Sequence, residues 1–83
     1  MRRRELVLQY GNFLILADAS SDAPERGPED EWDTTVSVVE PRWPEMPAPQ
    51  PVPLGARRFH DPEVALAEAI RAARAFIDAQ RAS

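Results

Sequence analysis

The chain has 83 residues, fourteen acidic and ten basic side chains, a net charge of -4 and no cysteine. That length allows a single domain over 1–83, whose thin core takes only about 60–65% of the unfolded surface out of water, and the lack of cysteine excludes a disulfide framework and a thiolate metal site. The acidic balance argues against a general nucleic-acid binder, and no apolar run reaches the roughly 20 residues of a membrane span.

Arg2, Arg3 and Arg4 resemble the charged start of a signal peptide, but the apolar run after them is broken by Gln9, Tyr10, Gly11 and Asn12, so a soluble cytoplasmic protein is expected. Every basic residue is arginine. Beside abundant alanine, that is the composition of a GC-rich bacterial genome, and this explanation is preferred over selection for bidentate anion contacts.

From Glu5 to Asp18 the residues are mostly strand formers. Leu6, Leu8 and Tyr10 share one parity, and Phe13, Ile15 and Ala17 share the other. Two readings fit. One long strand with a bulge at Gly11 or Asn12 keeps a single face inward, while a tight hairpin at Gly-Asn has arms of only about five residues each. The bent strand is preferred. Ala19 to Glu31 lacks any large apolar side chain and reads as a solvated acidic loop; its carboxylates do not follow a calcium-loop pattern.

Trp32 to Glu40 alternates cleanly, with Trp32, Thr34, Val36 and Val38 on one side, and predicts a strand that Pro41 ends. Prolines at 41, 44, 47, 49, 51 and 53 make the connection 41–53 an extended or polyproline II segment. Leu54 to Phe59 is expected as a short third strand anchored by Leu54 or Phe59. A helix over 61–81 follows, with Asp61 as N-cap, Pro62 in the first helical position and Glu63 at the positive end of the dipole. Its apolar stripe is Leu66, Ala69, Ile70, Ala73, Phe76 and Ile77, opposite Glu68, Arg71, Arg74, Asp78 and Arg81. Consecutive strands usually pair, so the expected fold is α+β: a three-stranded antiparallel meander with one long helix packed across one face, β-β-β-α.

The run Tyr10-Gly11-Asn12-Phe13-Leu14-Ile15, Trp32 opening a later strand, Arg58-Phe59, Asp61-Pro62-Glu63 and the helix from Ala69 to Asp78 resemble small uncharacterised proteobacterial β-β-β-α domains likened to the double-stranded RNA-binding-domain fold. That resemblance implies a fold and leaves function open; the proline-rich connection departs from the short turn of such domains. A second, lesser resemblance is to HicB-type antitoxins, although the DNA-binding segment typical of those chains is lacking.

One histidine, one tyrosine and no cysteine or lysine make a poor supply of catalytic groups. His60 beside Asp61 hints at a general base, but neighbours in sequence point apart and Asp61 is occupied as the cap. No catalytic residue, cofactor site or metal site is therefore expected, and the chain is read as no enzyme. Arg57, Arg58, Arg71 and Arg74 are the candidates for a phosphate-binding stripe, weakened by Glu68 and Asp78 at helical pairing distance. Trp43 within the proline-rich segment either covers the core or anchors a partner. The second sheet face is expected to be uncovered, with Val7, Val39 and Phe13 on it. The preferred function is a protein-interaction or regulatory module with a protein partner or a second copy of itself as a homodimer; nucleic acid is the less favoured partner, and a membrane is not expected.

Overall fold

The structure, a computed structural model, describes residues 2–22, 31–42 and 44–82. Five strands and one helix follow in order: β1 (Arg2–Tyr10), β2 (Phe13–Ser21), β3 (Trp32–Val39), β4 (Gln50–Pro51), β5 (Arg58–Phe59) and α1 (Pro62–Ala82). The long strands form an antiparallel meander in the order β1, β2, β3, with α1 across one face, which is the expected β-β-β-α fold.

The three strands are not the three expected. Glu5 to Asp18 is a hairpin rather than one bent strand, and its ladder runs from Tyr10 opposite Phe13 to Arg2 opposite Ser21. Gly11 has φ 61°, and no non-glycine residue among those described has a positive φ. This is the pattern of a type II′ turn, whose twist matches that of the flanking strands. The parity change between Tyr10 and Phe13 has a simple cause: a two-residue reversal places these residues opposite each other on one face, as a bulge would also have done. The arms are nine residues long because charged ends join the ladder, the Arg3 Nε–H donating to Asp18 Oδ1 at 2.9 Å. Residues 19–21 accordingly belong to β2 and not to the acidic loop; of the rest of that loop, residues 23–30 lie outside the described residues.

The expected third strand shrinks to Arg58–Phe59, which pairs with the start of β3. The proline-rich connection supplies Gln50–Pro51 along the end of the same edge. Between them, the Val52 N–H donates to the Val36 carbonyl at 2.9 Å and the Thr34 N–H to the Arg57 carbonyl at 2.7 Å. Pro51 and Pro53 have no N–H to give, so the edge of β3 is covered in patches rather than by one continuous strand.

The core lies between the sheet and α1. Ile15, Ala17, Val36 and Val38 pack against Ala69, Ile70, Ala73 and Ile77, with Leu66 and Phe76 half-buried beside them. Alanines at the contact let the helix approach the sheet closely. Ala19, Trp32 and Ala65 close the end near the helix start. There Asp61 Oδ1 accepts the Glu63 N–H at 2.9 Å and its carbonyl accepts the Ala65 N–H at 2.9 Å, so Asp61 caps α1 as its residue type predicts. No helix among the described residues is long and apolar enough to cross a membrane.

Candidate interaction surface

The meander leaves its two edges in different states. The edge of β3 is occupied by β4 and β5, whereas among the described residues nothing pairs with the outer side of β1. β1 also carries both large apolar side chains that the strands leave exposed, Leu6 at 41% and Val7 at 62%. They point to opposite faces. Leu6 shares the helix-facing side with Leu8 and Tyr10, yet stays uncovered because α1 lies over β2 and β3 and meets β1 near its ends. At one end the Tyr10 hydroxyl donates to Asp78 Oδ1 at 2.9 Å and the Arg74 guanidinium lies 5.5 Å from the Tyr10 ring centroid. At the other, Arg4 reaches Glu63 at 3.8 Å. Val7 faces away from the helix, opposite Leu16, in an open recess of about 300 Å³ shared with Leu16, Thr35 and Ser37.

Two groups on this strand have shifted ionisation. The hydrogen bond to Asp78, together with desolvation and the Asp78 charge, pushes the Tyr10 phenol up, with Arg74 and Arg81 opposing. Arg3 is held more firmly in its charged form by its hydrogen bond to Asp18 and by the charges of Asp18 and Glu5.

Of the residues expected on an open sheet face, Val7 is there. Val39 is not: it is 6% exposed, at the end of β3 where the proline-rich connection brings Pro47 and Ala48 to the same recess. Phe13 sits on the helix-facing side, half-buried against the core, because the hairpin reversal aligns it with Ile15. Trp43 lies outside the described residues.

The four candidate phosphate-binding arginines are not brought together. Arg57 precedes β5 and Arg58 opens it at the β3 edge, where they meet Asp33 at 3.7 Å and Glu31 at 3.3 Å respectively. Arg71 and Arg74 are on α1, with Arg74 over Tyr10 at the opposite edge. The expected pairing of Arg71 with Glu68 is formed at 3.7 Å, whereas Asp78, expected to balance Arg74, receives the Tyr10 hydroxyl.

A different grouping escaped the sequence reading. The Arg2 guanidinium lies 5.1 Å from the Trp32 ring centroid, and a recess of about 380 Å³ is lined by Arg2, Arg3, Arg4, Trp32 and Pro62. The Trp32 indole Nε1–H is buried without a hydrogen-bond partner among the described residues. The one available signal was the period-two spacing of Arg2 and Arg4 with Leu6, which places them on the helix-facing side; their nearness to Trp32 depends on the hairpin register. His60 is exposed at the turn into α1, and the neighbouring Asp61 carboxylate is engaged by the helix cap. Among the described residues, no three His, Asp or Glu side chains are grouped as metal ligands would be.

Comparison of this chain with protein-family models, curated proteins and solved structures finds no match.

Proposed function

We propose that this chain is a non-enzymatic protein-interaction module of the bacterial cytoplasm whose contact surface is the middle of β1. The supporting observation is the coincidence of a strand edge that no described residue pairs with and the exposed Leu6 and Val7. Strand edges are ready templates for another chain, and apolar residues in the middle of one oppose the devices that keep edges solitary. An added strand would gain main-chain hydrogen bonds from the edge and side-chain contacts on both faces. The cytoplasmic setting rests on the absence of cysteine. Binding of nucleic acid ranks below this reading, since the candidate arginines are divided between the β3 edge and α1 and three of the four face carboxylates.

A photo-crosslinking residue placed at Val7 or at Arg71 in living cells tests the proposal. Protein adducts are expected from position 7 and not from position 71. Adducts from neither position, or equally from both, would overturn it.

A further inference from the structure

We infer that the strand added to β1 belongs to a second copy of this chain, paired antiparallel to β1 about a two-fold axis through Leu6, with both helices on the same face of the joined sheet. This inference rests on the interaction reading above and specifies its partner.

Backbone geometry supplies the first support. In a two-residue hairpin the residues flanking the turn form a hydrogen-bonded pair, and pairs alternate from there. Tyr10, Leu8, Leu6 and Arg4 therefore bond to β2, and the N–H and C=O groups of Arg3, Glu5, Val7 and Gln9 point outward. The same alternation carried across to β3 makes Thr34 and Val36 outward-pointing, and these are the residues whose backbone bonds to Arg57 and Val52. With Leu6 on the axis, Arg3 meets the partner's Gln9 and Glu5 meets the partner's Val7. Every outward group of both strands is then paired.

Register supplies the second. β1 runs from Arg2 to Tyr10, so Leu6 is its midpoint and an axis there overlaps the whole strand. Moving the axis to Glu5 or Arg4 sets like charges directly opposite, which destabilises a ladder. Moving it to Val7 leaves the outward groups of Arg3 unpaired. On the axis, Leu6 faces the partner's Leu6 in a non-hydrogen-bonded pair, where side chains approach most closely. The side chain that α1 leaves 41% exposed thereby gains an apolar neighbour.

The closed edge supplies the third. Because β4 and β5 occupy the far side of β3, each copy offers, among the described residues, one open edge along the meander, and a two-fold pairing uses both. Association stops at two chains rather than propagating.

The test uses the full chain. Light scattering is expected to give twice the 9.3 kDa chain mass. Val7→Pro removes one outward N–H that β2 does not need, so it is expected to return the chain to a monomer with unchanged helix content. The native sequence has no cysteine, so Leu6→Cys provides an independent readout: across a non-hydrogen-bonded pair, with Cα atoms about 4.5 Å apart, a disulfide can form. Oxidation is expected to link Leu6→Cys chains into dimers and to leave Val7→Cys chains unlinked. A monomer at every concentration overturns the inference, as does a dimer in which Leu6→Cys fails to cross-link. A monomer whose position-7 crosslinks in cells lead to a different protein overturns the second-copy assignment while leaving the interaction reading standing; a monomer with no adducts removes both.

Discussion

Tyr10 shows how much one side chain can join. It ends β1, precedes the turn glycine, lies under Arg74 and donates its hydroxyl to Asp78, which is 68 positions away. Its phenol is held above the ordinary value near 10, first by that hydrogen bond. A raised pKa means that the fold favours the protonated phenol. The stabilisation is therefore complete below the unfolded pKa and is lost as pH rises through the folded one. Because Tyr10 is the only tyrosine, the phenolate absorbance of the folded chain should report it alone. The midpoint is expected above that of a tyrosine peptide, and Asp78→Asn should move it back; an unshifted midpoint in the native chain would show that the bond is not kept in solution. Nothing in the sequence around Tyr10 announces Asp78, since the contact depends on where the helix crosses the sheet.

At the scale of elements, the hairpin turn and the helix make contrasting demands. Gly11 holds φ 61°, and a Cβ there would stand 3.2 Å from Arg81 Nη1. That atom is the end of a flexible side chain and can give way, so the effect of Gly11→Ala is mainly backbone strain, a loss of about 1–3 kcal/mol. Denaturant unfolding should detect it, while Gly55→Ala, whose added methyl group meets no described residue within 4 Å other than its chain neighbours, should be close to neutral. On α1, Ile77 is fully buried within the main core cluster. Ile77→Ala is expected to cost about 2–5 kcal/mol through lost burial and the cavity left behind. A loss below about 1 kcal/mol in that variant would mean that the helix is not the roof of this core. The stripe containing Ile77 was legible from spacing alone, because a helix repeats its contacts every 3.6 residues wherever its partner lies.

Taken as a whole, a domain of this size has a stability of only about 4–12 kcal/mol, of which the loss expected from Ile77→Ala is a large fraction, so the fold depends on a few contacts. Charge is likewise decided at this scale. Five arginines follow Ala56 as Arg57, Arg58, Arg71, Arg74 and Arg81, but the fold divides them, with Arg57 and Arg58 at the β3 edge and the other three on α1. Little affinity for nucleic acid is therefore expected: a mobility-shift assay at low salt should show no specific shift. Binding that falls steeply with salt and disappears when Arg71 and Arg74 are replaced by alanine would restore the nucleic-acid reading.

The helix, its cap at Asp61, its buried stripe, the inward face of β3 and the β-β-β-α class could all be derived from residue order. Each depends on a local signal: a capping side chain, a period of 3.6 or a period of two. Tertiary structure decided the rest. A bulged strand and a hairpin place the same alternating residues on one face, so the alternation from Leu6 to Ala17 did not separate them; Gly11-Asn12 was the one hairpin signal, and the register decided in its favour. Val39 and Phe13 were on the expected strands, but the return of the proline-rich connection and the reversal at Gly11 settled what covers them. The open edge of β1 emerged in the same way: periodicity records which side of an element is buried, whereas the neighbour that meets its edge is set by how distant segments pack.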